Sequence, residues 1–141
     1  MATIRHLLHI NAAPDYIYQA ISTVEGISCW WTPSVSLQSN EILKLHFGAD
    51  YFKCLKIIRQ SDNNQVQWQC TEGVDEWLDT VITFELQPVE EDKTRVNFSH
   101  DRWSNSSDLY ARCSYDWAMF LRSMKLYCEH GMGRPYPHQN N

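Results

Sequence analysis

The stretch SSDLYARCSYDWAMFLRSMKLYCEHG, Ser106 to Gly131, decides the fold. Within it Leu109, Cys113, Trp117, Phe120, Met124 and Cys128 recur at steps of three and four. That spacing predicts one apolar stripe along about six turns of α-helix. Ser106 or Ser107 can accept the first free N–H groups, Asp108 suits the positive end, and Gly131 suits the left-handed residue after the last turn. Pro135 stops any continuation. A helix with one long apolar stripe needs an apolar surface to lie on, so the rest of the chain is read for that surface.

Upstream the period drops to two. In QVQWQC, Val66, Trp68 and Cys70 face one way and Gln65, Gln67 and Gln69 the other. TVITFEL puts Ile82, Phe84 and Leu86 in one phase, and TRVNFSH does the same with Val96, Phe98 and His100. EILKLHF alternates Leu43, Leu45 and Phe47 with Lys44 and His46. YFKCLKIIR, Tyr51 to Arg59, is apolar in both phases and leaves its inward face open. These are strand patterns. The turns between them, GAD at Gly48, SDNN at Ser61 and QPVEEDK at Gln87, are short, which implies antiparallel neighbours.

The beginning of the chain reads differently. TIRHLLHI is a strand with Ile4, Leu8 and Ile10 in phase. NAAPDYIYQAI and STVEGISCWW then read as two short helices. Pro14 and Asp15 suit the first turn of one, and Ser22 or Thr23 caps the other, with Gly26 weakening it. Pro33 ends the segment. Adjacent helical residues point about 100° apart, so Trp30 and Trp31 cannot share one narrow stripe; Trp30 is assigned to packing and Trp31 to the rim of an interior space. The order is therefore one strand, two short helices, about six strands and one long helix. The predicted class is α+β: a curved antiparallel sheet of about six or seven strands gripping the C-terminal helix. A pocket opens where sheet and helix diverge.

With 141 residues the chain suits one domain, 1–141, with a core at about 3–133 and a polar tail at 134–141. The formal net charge is −5 and no Lys/Arg run stands out, which argues against nucleic acid and anionic membrane surfaces. No stretch approaches the roughly 18 apolar residues that span a bilayer, and MATIRHLLHINAAP does not read as a signal peptide. The expected location is the cytoplasm. Cys29, Cys54, Cys70, Cys113 and Cys128 are odd in number, widely spaced and without a CxxC pair. Reduced, mostly buried thiols fit this better than disulfides or a zinc site.

Four blocks, NAAPDYIYQAISTVEGISCWWTP, EWLDTVITFEL, KTRVNFSHDRW and YDWAMFLRSMKLYCEHGMGRP, occur in this order and cover nearly the whole chain. Together they resemble the family of activator-of-heat-shock-protein-90-ATPase homologues in the START/Bet v 1-like (SRPBCC) superfamily. The resemblance implies a helix-grip fold. It also implies three kinds of role: holding a hydrophobic small molecule between sheet and helix, stimulating a chaperone ATPase, or catalysis on a small molecule. The family pattern transfers no catalytic residue.

Few residues offer chemistry of their own. His6 and His9 lie three apart on a strand and point to opposite faces, so they cannot chelate together. Cys128 and His130 end a helix, where a histidine is ordinary. The acidic group Asp75, Glu76 and Asp79 beside Trp77 reads as a solvated loop. His100 is inward by phase. It reads as a paired buried histidine or as a polar anchor in an apolar cavity. The aromatic residues are the stronger signal. Trp68, Trp77, Trp103 and Trp117 are candidate walls, Trp31 is a candidate rim, and Tyr110 is a polar tip at the mouth. Phe84, Phe98, Phe120 and Met124 converge on the same interior. The expected function is binding of a small hydrophobic or aromatic ligand, ahead of a co-chaperone role and of an enzyme using His100 as acid or base. No cofactor and no metal is expected, and the chain is read as a monomer or homodimer.

Overall fold

The computed structural model describes residues 1–39, 41–61 and 63–137. Seven strands form one antiparallel sheet: β1 (Ala2–Ile10), β2 (Val35–Gln38), β3 (Ile42–His46), β4 (Phe52–Ser61), β5 (Gln65–Glu72), β6 (Val81–Glu90) and β7 (Lys93–Trp103). Their order across the sheet is β1-β7-β6-β5-β4-β3-β2. The first two strands are thus the two edges, and the helices α1 (Pro14–Ser22) and α2 (Val24–Ser28) carry the chain from one edge to the other. The long helix α3 (Asp108–His130) completes the helix-grip arrangement.

The stripe predicted for α3 is the buried one: Cys113, Trp117, Phe120, Met124 and Cys128 are inside, with Leu121 and Ser123 beside them. Ser107 is the cap, its Oγ accepting from Tyr110 N–H, and Gly131 takes the left-handed conformation with φ 83°. No described helix is long and apolar enough to cross a membrane.

Each of β5, β6 and β7 keeps its expected inward phase: Val66, Trp68, Cys70, Ile82, Phe84, Leu86, Val96, Phe98 and His100 are all buried. On β1 the inward phase places His6 against α3, where Nε2 lies 3.2 Å from the Ser114 carbonyl, while His9 is exposed on the opposite face. The strand with two apolar phases, β4, is settled by its register. Leu43 pairs with Leu55 and Leu45 with Lys53, so Lys53 shares the inner face with Leu55. The alternation is blurred by register shifts between Cys54 and Leu55 and between Ile57 and Arg59. Such bulges twist and bend a strand and expose its register to both faces.

Around the two tryptophans the sequence reading is refined. The second helix stops at Ser28, short of Cys29, Trp30 and Trp31. Thr23 caps it by accepting from Gly26 N–H. Gly26 is there for contact: a Cβ would sit 2.4 Å from the Gln19 carbonyl oxygen and 2.6 Å from Ala20 Cα. Close approach of α1 and α2 requires its absence. Off the helix, both indoles turn inward and stack, with centroids 5.6 Å apart and an interplanar angle of 5°. Trp30 donates its Nε1–H to the Ala20 carbonyl at 2.8 Å. Trp30 packs in the core as expected; Trp31 is almost as deeply buried, 2% exposed.

Candidate functional site

Sheet and helix do not meet along the whole of α3. Towards its N-terminal half they leave a cavity of about 480 Å³. One wall is α3 itself, through Leu109, Arg112, Cys113, Asp116, Trp117 and Phe120. Val74 and Trp77 close another side, from the β5–β6 connection. Phe47, Tyr51 and Lys53 come from the β3–β4 corner, and Trp31 and Tyr136 complete the lining.

Trp77 is held in place from several directions. It ends a short 3₁₀ turn, Asp75–Trp77, and donates its Nε1–H to Cys113 Sγ at 3.3 Å. Thr80 Oγ1 donates to the Trp77 carbonyl at 2.6 Å. Glu76 accepts a hydrogen bond from Ser107 Oγ, which ties the acidic connection to the cap of α3. Asp79 sits at φ 67°, a conformation that short polar side chains tolerate best.

His100 is wholly buried and lies behind this wall. Trp117 Nε1–H donates to its Nδ1 at 3.0 Å, so the neutral ring carries its proton on Nε2. That Nε2–H donates to Thr80 Oγ1 at 2.8 Å, and Thr80 passes its own proton to the Trp77 carbonyl. The four groups form a closed relay in which each donor and acceptor is used. Burial, aided by the Lys53 charge, lowers the His100 pKa to about 3. The ring is therefore neutral, with no free nitrogen for proton transfer, and it fixes Trp77 and Trp117, two walls of the cavity.

Lys53 is the opposite case. It is only 7% exposed, and its Nζ lies 3.5 Å from the centroid of the Trp77 ring, 4.8 Å from that of Phe47 and 5.2 Å from that of Tyr51. Among the described residues no carboxylate stands within ion-pairing distance of Nζ. Aromatic faces attract the charge without accepting its N–H groups as a carboxylate would. Burial lowers the Lys53 pKa to about 8, with Cys113, Cys70 and Asp116 opposing the shift. The five cysteines are free thiols. Burial pushes Cys54 and Cys70 up to about 11 and Cys128 to about 12, which keeps them protonated and unreactive.

Of the residues expected at the site, Trp31, Trp77, Trp117 and Phe120 line the cavity. Trp68, Phe84, Phe98 and Met124 lie in the solid core. Trp31 stacks on Trp68 at 5.7 Å, and Trp117 covers Phe98 at 4.5 Å, so the outer rings screen the inner ones from the cavity. Trp103 packs behind His100 at 4.8 Å. Tyr110 stands edge-on to Trp103 and donates its hydroxyl to the Thr3 carbonyl, joining α3 to β1. The expectation missed Phe47, Tyr51, Lys53, Val74, Leu109, Arg112, Cys113, Asp116 and Tyr136. The signal for Lys53 was a lysine in phase with Leu55. Tyr136 lies in the stretch expected as tail; its N–H donates to the Trp31 carbonyl at 2.7 Å and its ring meets Phe47.

No family model matches the chain, and no curated protein matches it. Solved structures do. The Aha1 of Colwellia psychrerythraea, described as a dimer in solution, is 34% identical over 94% of this chain and 100% of its own, with a TM-score of 0.85. A Staphylococcus saprophyticus protein is 19% identical over 94% and 95% of the two chains, with a TM-score of 0.75. CalU16 of Micromonospora echinospora is 16% identical over 97% of this chain and 71% of its own, with a TM-score of 0.76. The last two share the fold alone. The identity to the Colwellia protein runs through nearly the whole helix-grip domain, and on that ground the chain belongs to the family of activator-of-Hsp90-ATPase homologues.

Proposed function

We propose that the protein binds a small hydrophobic or aromatic ligand in the cavity between α3 and the sheet. The observation that supports this is the cavity: about 480 Å³, walled by Trp31, Phe47, Trp77, Trp117 and Phe120. Small-molecule sites commonly occupy some 300–1,000 Å³ and combine aromatic walls with a few polar groups. A neutral fluorescent probe, N-phenyl-1-naphthylamine, tests it. Saturable binding is expected to the natural chain, and Leu109→Trp, which fills the cavity from the first turn of α3, is expected to abolish it while the circular dichroism spectrum stays the same. Equal binding by both proteins overturns the reading.

A second reading rests on the 34% identity to a protein described as Aha1. It is a co-chaperone role, in which the domain modulates the ATPase of a heat-shock chaperone. Its test is the ATPase rate of the chaperone from the same cell with and without the protein; an unchanged rate counts against it. A homodimer belongs to the same reading. The edge strand β2 with its exposed Leu37 offers a surface for one, and light scattering on the purified chain decides it.

A further inference from the structure

Among the described residues Lys53 is the buried charged group of the cavity wall, and the aromatic lining does not explain its chemistry. A lysine at an inner sheet position replaces a residue that could pack as Leu55 does. Its ammonium has three N–H donors and, among the described residues, no carboxylate to receive them. Trp77, Phe47 and Tyr51 present their π-faces to the charge, and the side chain is 7% exposed. Charge-assisted hydrogen bonds are strong where water is excluded. The charged groups of the lining are Lys53, Arg112 and Asp116, two cations and one carboxylate, on a chain whose formal net charge is −5. The cavity therefore carries a local positive balance that the rest of the molecule lacks.

We infer that the ligand is a small organic anion: its apolar part lies among Trp31, Trp117 and Phe120, and its carboxylate or other anionic group meets Lys53 Nζ. This rests on the cavity-binding reading above and specifies its ligand class. Lys53 then selects acids over the corresponding neutral compounds. The selection depends on the lysine being charged, so it weakens as pH rises through about 8. The groups facing Nζ are Tyr51 just before β4, Cys70 on β5, His100 on β7, and Arg112, Cys113 and Asp116 on α3. Burial holds Tyr51, Cys70 and Cys113 above their ordinary values and His100 well below its own, so the environment disfavours the charged form of each of those four.

Two probes of similar shape separate the possibilities: 8-anilino-1-naphthalenesulfonate, an anion at every pH used, and neutral N-phenyl-1-naphthylamine. The natural protein is expected to prefer the anion by about tenfold to a hundredfold, the range of a charge-assisted bond. Lys53→Met is expected to lose that preference and keep the neutral probe, whereas Arg112→Gln is expected to retain it. In the natural protein the preference is expected to fall between pH 7 and 9.5, with the neutral probe unaffected, which tests the inference without any substitution. A preference that survives Lys53→Met or is flat with pH overturns the inference and leaves cavity binding standing. Binding of neither probe overturns both.

Discussion

Two buried ionisable groups touch Trp77, and the protein treats them oppositely. His100 touches the indole at 4.5 Å between ring centroids, and Lys53 Nζ lies 3.5 Å from it. On the His100 side a chain of hydrogen bonds runs from Trp117 through His100 and Thr80 to the Trp77 carbonyl, and it uses both ring nitrogens of the histidine. On the Lys53 side the charge faces aromatic rings and a cavity of about 480 Å³. Burial alone does not separate the two regions, since both side chains are inside. Satisfaction does. A completed network stabilises the fold, whereas an incompletely paired charge destabilises it and leaves a bond for a ligand to make.

The largest effect is expected at His100. His100→Ala removes a buried ring, orphans Trp117 Nε1 and takes away the donor to Thr80 Oγ1, so it is expected to cost about 3–5 kcal/mol in urea unfolding. A cost below about 1 kcal/mol would break the claim that this side is structural. The acid limb sharpens it. His100 is neutral when folded, with its pKa at about 3 against 6.5 for a free histidine. The unfolded chain binds the extra proton in that window, so this group's stabilisation is complete above about pH 6.5 and is lost as pH falls towards 3. The Ala variant is expected to show a shallower acid slope.

Lys53→Met should act in the other direction. The folded lysine titrates at about 8 and the free one at 10.5, so the unfolded chain binds more protons between those values. Stability gained by the natural protein as pH rises through that window is the penalty of the buried charge being removed. At pH 7 the methionine variant is expected to be more stable by about 2 kcal/mol, with the gap closing by pH 10 to 11. Thermal unfolding of both proteins at the two pH values measures it. A variant less stable than the natural chain at pH 7 would show that the aromatic faces already satisfy the ammonium, and the contrast with His100 would fail.

The paired region was far more legible in the sequence than the unpaired one. The stripe from Leu109 to Cys128 and the alternation in β5, β6 and β7 are local patterns, and they carry the fold. They also place His100, Trp68, Phe84 and Phe98 inward. Phase, however, reports direction and not depth. It could not tell that Trp31 lies over Trp68, or that Trp117 lies over Phe98. Lys53 was hidden because β4 is apolar in both phases and its register slips twice. Tyr136 was hidden for another reason: it is held by a hydrogen bond to Trp31, 105 positions away by numbering, and by ring contact with Phe47, neither of which a local pattern encodes. The short β2 went unread because four residues give too little alternation to recognise.

Trp77 belongs to both regions, and its substitution gives the smallest and most discriminating effect. Trp77→Phe loses the hydrogen bond to Cys113 Sγ and trims the face over Lys53 Nζ. The first loss is the same whether or not residue 53 is charged; the second vanishes in Lys53→Met. A double-mutant cycle therefore isolates the cation–π contribution. Trp77→Phe is expected to cost about 0.5–1 kcal/mol less in the Lys53→Met background, within the range for a cation over an aromatic face. The same cycle at pH 10 to 11, where Lys53 has lost its proton, is expected to give a coupling near zero. A coupling that does not change with pH would mean that Trp77 and Lys53 interact through packing alone. The aromatic cage would then be ordinary core, and Lys53 would have no more claim to a ligand than Leu55 beside it.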